Sequence, residues 1–243
     1  MEIEFVTCAV NRPSILEQTY SSLQKHLKGV NFEKSLLYIH IDKTPREENI
    51  TEIEKISKKY FPNTIVKYTD KKKLPRYSRS FKWAMTQPKG DFFFYIEDDW
   101  NFVKDFHVDD FLNIIKNNKD VHFIAINNNW THYGKNCPDF SINSKKSNPN
   151  YKPKEIICTT PSFYDNKFIK KYIINQLEEV GENAETQMRK IGKHLKTIPK
   201  WLSEKNHYYC EDLGVNWSNN NNIPQKDIHL FCYYNLCENC KKS

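Results

Sequence analysis

"FFFYIEDDW", residues 92–100, is the stretch on which the reading of this chain turns. Five apolar or aromatic residues run straight into three adjacent carboxylates, Glu97, Asp98 and Asp99. Residues 91–96 have the length and apolar continuity of a buried strand. Adjacent like charges repel, and burying them without partners costs on the order of several kcal/mol each. Two readings explain the acids. One is a solvated strand end that happens to be acidic; the other is a divalent cation held at the C-terminal edge of a sheet.

Outward from that strand, the first half of the chain alternates strand and helix. "EIEFVTCAV" (2–10) is an apolar, β-branched run that stops at "NRPS", where Pro13 suits the first turn of a helix. Helical spacing of Ile15, Leu16, Tyr20, Leu23 and Leu27 predicts a helix over 14–27. Strands are expected at 35–41, 64–68 and 121–127, and helices at 50–61, 76–87 and 105–118. This alternation with short links predicts an α/β fold, a mostly parallel central sheet flanked by helices. The second half is looser. Residues 130–155 read as a long surface loop of lid type. A short strand within 155–164 and helices at 166–180 and 183–198 follow. No linker forces a boundary, so 1–243 is expected to form a single domain with an elaborated C-terminal half.

The bulk numbers fit that expectation. The chain has 243 residues, enough for one sizeable core, and 14% aromatic residues offset a hydrophobic content of only 38%. No apolar run approaches the ~18 residues needed to span a bilayer, and no signal-like segment opens the chain, so the expected compartment is cytoplasmic. Net charge is +7, from 37 basic and 30 acidic residues, which favours anionic partners such as nucleotides, phosphorylated lipids or nucleic acid. The surplus is concentrated in 70–79, 145–154 and 190–205. Seven dispersed cysteines are expected as thiols. The tail "CYYNLCENC" holds one C-x-x-C, Cys237 and Cys240, near Cys232; a structural zinc there would need Cys210, His207 or His229 as a further ligand.

Ligands of open parallel sheets bind beyond the carboxyl ends of the strands. The first strand ends at "VNRP", the second at "IDKTP" and the fourth at "IEDDW". Arg12, Asp42 and the 97–99 cluster are therefore expected on one edge. A guanidinium suits phosphate, and carboxylates supply hard oxygen ligands for a cation. Alternation of side chains along the strand turns Glu97 to the other face.

These strand ends resemble a known family. "FVTCAVNRPSILEQTYSSL" is similar to the opening of GT-A glycosyltransferases, family 2 above all, and "YIEDDW" is similar to their D-x-D signature. "RSFKWAMTQ" followed by "YIEDDWNFVKDFHVDDFLNII" also resembles the N-acetylglucosaminyltransferase I group, where an E-D-D follows a helix with R-W-A-L. The resemblance covers about residues 2–127. It implies a GT-A domain whose first half, 1–127, binds a nucleoside-diphosphate sugar, a UDP-sugar above all, and whose remainder, 128–243, binds the acceptor. It implies Mn²⁺ or Mg²⁺ on Asp99 with Asp98, and donor contacts from Thr7, Asn11, Arg12, Asp42, Arg76, Arg79 and Asp98. Among these, Asp42 would address the nucleobase and Arg12 the base or the phosphates. A cation neutralises a diphosphate leaving group directly, so the chemistry agrees with the resemblance.

Transfer also needs a base for the acceptor hydroxyl. The family's G-E-D-x-D-L-x-x-R frame fits "VGENAETQMRKIG" (180–192), with Asn183 where the aspartate is expected. Glu185, or Glu182, would then substitute. "YYCEDLGVNW" offers a literal E-D pair and with it Asp212. A side-chain base favours single displacement with inversion. The family's Gly-rich loop is absent, with "TTPSFY" in its place. Trp100, Trp130, Trp201 and Trp217 are candidates for sugar stacking or for the core. The acceptor is a hydroxyl on a glycan, a lipid-linked sugar or a modified DNA base. The alternatives are a nucleic-acid-binding protein, which leaves the strand-end acids unexplained, and a nucleotidyltransferase, which would need a Gly-rich loop after the first strand.

Overall fold

A computed structural model of the chain describes residues 1–10, 12–42, 47–69, 76–117, 119, 121–126, 160–180, 182–192, 195, 200–202 and 209–214. Strand β1 (Glu4–Ala9) leads into helix α1 (Pro13–His26), with Pro13 in its first turn as its missing N–H allows. Then follow β2 (Leu27–Lys28), β3 (Leu36–Ile41), α2 (Glu47–Tyr60), β4 (Asn63–Tyr68), α3 (Tyr77–Thr86) and β5 (Phe92–Glu97). Next come β6 (Trp100–Phe102), β7 (Phe106–His107), α4 (Val108–Asn117), β8 (Phe123–Ile126), β9 (Ser162–Asp165) and α5 (Asn166–Tyr172). Last are α6 (Ala184–Gly192), β10 (Lys200–Leu202) and β11 (Cys210–Asp212).

The main sheet has seven strands in the order β10-β8-β9-β5-β1-β3-β4. All adjacent pairs are parallel except those made by β9, which runs antiparallel to both β5 and β8. The chain steps from β1 to β3 to β4 in one direction, then crosses back to lay β5 on the other side of β1. That reversal opens a crevice beyond the C-terminal ends of β1 and β5, where open α/β sheets take their ligands.

Alternation along the strands builds one apolar cluster on each face of the sheet. Phe5 and Ala9 of β1, Leu37, Ile39 and Ile41 of β3, and Phe94 and Ile96 of β5 pack with α1, α2 and α4. Val6, Cys8, Tyr38, Phe93 and Tyr95 pack on the other side with α3, α5 and α6. The central strands thus carry large residues on both faces, as a parallel sheet sandwiched between helices requires. No helix among the described residues is long and apolar enough to cross a membrane.

Two expected helices are shorter than their sequence patterns. The helix expected over 166–180 stops at Tyr172, because Ile173 adopts φ −119° and both Ile173 and Ile174 turn fully into the core, leaving a single 3-10 turn at Ile174–Gln176. The one expected over 183–198 is described as helix only from Ala184 to Gly192. The proposed loop at 130–155, Asn11, His207, His229, Trp130, Trp217 and the cysteines at 232, 237 and 240 lie outside the described residues.

Candidate active site at the strand ends

Register alone brings the site together. Cys8 of β1 is level with His40 of β3 and with Glu97 of β5. Two residues further on, Val10 lies between Asp42 and Asp98: the Asp42 N–H donates to Ala9 O at 3.0 Å, and the Val10 N–H donates to Asp98 Oδ2 at 2.9 Å. Arg12 then turns back over the strand ends. Its Nη2 donates to Asp98 Oδ1 at 2.8 Å and to Asp99 Oδ2 at 3.0 Å, and its side chain is 4% exposed.

A pocket of about 160 Å³ opens here, bordered by Cys8, Val10, Arg12, Asp42, Tyr77, Glu97, Asp98, Asp99, Asp212 and Gly214. Small-molecule sites usually enclose several hundred cubic ångströms. This one therefore holds only the innermost part of a ligand of nucleotide size. Its electrostatics are lopsided. Five carboxylates border it against the single guanidinium of Arg12, counted among the described residues.

The carboxylates differ sharply in what holds them. Both oxygens of Asp98 are occupied, by Arg12 and by the Val10 N–H, and burial pushes its pKa up to about 6 against the pull of Arg12. Asp98, expected to share a cation with Asp99 and to address the donor, is thus spent on holding Arg12 and the end of β1. Asp99 is one-fifth exposed, and among the described residues only Arg12 donates to its carboxylate, at Oδ2. Asp42 receives Thr69 Oγ1 at 2.5 Å and Ser80 Oγ at 2.7 Å on the same oxygen, Oδ1, leaving Oδ2 with no hydrogen bond from the described residues.

Glu97 lies on the α3 face, as alternation requires, and still borders the pocket. Tyr77 donates its hydroxyl to Glu97 Oε1 at 2.9 Å, and the Trp100 indole N–H reaches Oε2 at 3.4 Å. Burial, reinforced by the charge of Asp99, drives its pKa well above the usual carboxylate value. Cys8 is buried, and its thiol pKa is pushed up by that burial, which favours the protonated, unreactive form.

The acid supplied by the C-terminal part of the chain is Asp212. β11 pairs antiparallel with β6, placing Asp212 opposite Trp100, and the Leu213 N–H donates to Asp99 O at 2.7 Å. A Cβ added to Gly214 would lie 2.3 Å from Asp99 Oδ2 and 3.2 Å from Asp212 Oδ1. The bare glycine is what lets this backbone close down on both carboxylates. Glu185 and Glu182 do not border the pocket. Glu185 pairs with Arg189 at 2.8 Å, and Glu182 with Lys190 at 2.5 Å. Glu185 is near enough to Glu97 for its charge to be felt there, but its ion pair is a helix-surface i,i+4 contact.

Other expected residues fall elsewhere. Thr7 is fully buried under the sheet end and does not border the pocket. Arg76 caps α3 without a side-chain bond, and Arg79 lies 3.5 Å from Glu179; neither borders the pocket. Trp100 is 4% exposed and belongs to the core. Cys210 is fully buried, and that burial pushes its thiol pKa up. Sequence reasoning missed Thr69, Ser80 and Tyr77, which hold the acids. Tyr77 and Ser80 lie together in "RYSRS", whose bunched hydroxyls could have signalled them; Thr69 stands outside it.

A divalent cation can be tested against these donors. No group of three His, Cys, Asp or Glu residues among those described is disposed to hold a metal ion. Asp99 nevertheless offers an oxygen without a hydrogen bond from the described residues, with Asp212 close by. Mg²⁺ commonly binds through one or two carboxylates and completes its shell with substrate phosphates and water. The donor set fits that mode and not a closed protein cage.

No family model matches the sequence, and no curated protein does. Solved structures do. A crystal structure of S. aureus TarS, residues 1–349, superposes with a TM-score of 0.63 at 16% identity, over 88% of this chain and 61% of that one. The same protein in complex with UDP-GlcNAc gives 0.62 at 15% identity, over 87% and 58%. The mannosyltransferase PcManGT from Pyrobaculum calidifontis, in complex with GDP-Man and Mn²⁺, gives 0.57 at 8% identity, over 96% and 63%. The chain thus spans about three-fifths of the length of these proteins. The likeness establishes the fold, that of the GT-A glycosyltransferases.

Proposed function

We propose that the protein transfers a sugar from a nucleoside-diphosphate sugar, a UDP-sugar first among the candidates, to an acceptor hydroxyl, with inversion and with the help of a divalent cation. The observation that carries this reading is the meeting of Arg12, Asp42, Asp99 and Asp212 at the switch point of a GT-A sheet. The charge balance supports it. A site of five carboxylates would repel a diphosphate unless a cation came with it. Neighbours of the same fold were solved with UDP-GlcNAc and with GDP-Man and Mn²⁺.

In this reading Asp99 is the residue that would hold the cation. Such a cation supplies charge neutralisation for the departing diphosphate. Arg12 fixes the position of Asp99 and keeps Asp98 ionised beside it. Asp42, with one oxygen locked by Thr69 and Ser80, presents the other to an N–H of the nucleobase. Asp212 takes the proton of the acceptor hydroxyl as its oxygen attacks the anomeric carbon and the bond from that carbon to the diphosphate oxygen breaks. Asp212 is preferred to Glu185 and Glu182 because it alone of the three borders the pocket.

Thermal melting with UDP, GDP and ATP, each with and without Mn²⁺, tests the proposal. A Mn²⁺-dependent rise with a nucleoside diphosphate and a smaller one with ATP is expected. Indifference to every nucleotide in Mn²⁺ would sink it.

A further inference from the structure

The segment joining β5 to β6 has backbone groups that no strand pairing satisfies. The main-sheet ladder ends with Glu97, and the β6–β11 ladder begins at Trp100. Peptide groups between them must find other partners, because buried N–H and C=O groups left alone are costly. The Asp99 carbonyl accepts from the Leu213 N–H. The two groups on either side of it are met by one hydroxyl of α1. Thr19 Oγ1 lies 2.9 Å from Asp98 O and accepts from the Trp100 N–H at 3.1 Å.

Thr19 has no other evident task. Its side chain is fully buried, and its neighbours on that face, Leu16, Tyr20 and Leu23, pack by apolar contact. A valine would fill the same volume. The hydroxyl carries one proton and has two carbonyls in reach, Asp98 O and, at 3.0 Å, Ile15 O of its own helix. Whichever takes the proton, a lone pair remains for Trp100. Ser22, nearly one turn on, makes a comparable contact: it accepts from the Phe102 N–H at 3.0 Å and donates to Thr19 O. That contact lies beyond the acids, at the far end of β6.

The same helix also carries Arg12, its N-terminal flanking residue, seven positions before Thr19. Seven residues are about 10 Å of rigid helix. So α1 grips the acid turn twice, by the carboxylates through Arg12 and by the peptides through Thr19. A rigid element holding both ends sets the carboxylates more closely than either contact alone.

We infer that Thr19 is a positioning residue for the cation and nucleotide site, its hydroxyl fixing where Asp98 and Asp99 stand relative to Arg12. What the turn is positioned to bind rests on the sugar-transfer reading; the positioning itself does not.

Thr19→Val, Thr19→Ser and Ser22→Ala test this, with two readouts taken at a temperature where each variant is fully folded. One is UDP affinity in Mn²⁺ by calorimetry; the other is hydrogen exchange of the Trp100 amide. Thr19→Val is expected to weaken UDP by about tenfold, the equivalent of one hydrogen bond, and to speed Trp100 exchange. Thr19→Ser should restore both. Ser22→Ala should lower the melting temperature while leaving UDP affinity as it was. Wild-type affinity in Thr19→Val overturns the inference, whatever its exchange rate. Should that variant fail to fold, Thr19→Ala is read the same way. Should the wild type itself bind no nucleotide in Mn²⁺, the sugar-transfer reading falls, and Trp100 exchange alone decides: faster in Thr19→Val supports the positioning role, unchanged overturns it.

Discussion

Gly214→Ala asks whether the closeness of the last described segment to Asp99 matters for function. The added Cβ would stand 2.3 Å from Asp99 Oδ2 and 3.1 Å from its Cγ, where ordinary contact begins at 3.4 Å. Something must retreat by about 1 Å. The Leu213 N–H holds Asp99 O at 2.7 Å, so the backbone resists, and the Asp99 carboxylate is the part free to swing. Swinging breaks its 3.0 Å bond to Arg12 and moves the oxygen that would hold the cation. A displacement of 1 Å in a reacting group costs about 10²-fold in rate, or about 2.7 kcal/mol of transition-state stabilisation. Stability should change less, because crowding of about 1–3 kcal/mol is partly offset by the lower entropy of an unfolded alanine chain. The expected result is a folded variant with turnover of a UDP-sugar down about a hundredfold and weaker Mn²⁺-dependent UDP binding. A variant with wild-type kcat/KM and wild-type UDP affinity would refute the placing of Asp99 at the centre of the site.

Asp212→Asn keeps the shape and removes the base. Calorimetry should find UDP affinity intact while transfer drops by about 10²–10⁴-fold; full activity would move the base back to Glu185. Ser80→Ala combined with Thr69→Val frees Asp42 Oδ1 from both of its hydroxyl donors. The KM for the donor should rise about tenfold or more with kcat nearly unchanged, and an unaltered KM would remove Asp42 from nucleobase binding. Burial lowers the pKa of His40 below its ordinary 6.5, with Asp42 pulling the other way and Lys67 and Arg79 adding to the fall. The unfolded chain therefore takes up a proton first as pH falls through 6.5, and the folded state loses stability there. Urea denaturation at pH 8 and pH 5.5 should show a larger loss for the wild type than for His40→Asn; equal losses would contradict a neutral buried His40.

The half of the site nearest the N-terminus was legible because local pattern sets it. Apolar runs of strand length ending at Arg12, Asp42 and Asp99 give the strands, parallel pairing aligns their C-terminal ends, and the acids follow. Asp212 was legible only as a residue type. It reaches the pocket through β11, three residues long and paired with another three-residue strand 110 positions earlier at Asn101. Strands so short carry no periodic signal, and pairing so distant has no local signature. Motif order instead favoured Glu185, whose helix exists but spends that carboxylate on Arg189. Thr19 was hidden for another reason. On a helix face it reads as one small residue among apolar neighbours, and its partners appear only once β6 is laid beside α1.

The two kinds of acid at this edge clarify what the stretch at 97–99 is for. A chain needing only to end a strand in water would leave its carboxylates exposed and their pKa values ordinary. Here Asp98 is 4% exposed with its pKa raised to about 6, and Glu97 is pushed well above its ordinary value by burial and by Asp99. Burying charge in this way weakens the fold, and replacing such groups by apolar ones often stabilises a protein. Everything around them is locally consistent, with apolar strands, well-placed helices and hydroxyls meeting backbone groups. Buried charge gathered at one pocket in this way is the expected mark of a functional site. The cost falls on Glu97 and Asp98, which hold Tyr77, Arg12 and the end of β1 in place. Asp99 and Asp42, each with an oxygen left without a hydrogen bond from the described residues, are the groups that this arrangement sets toward a ligand.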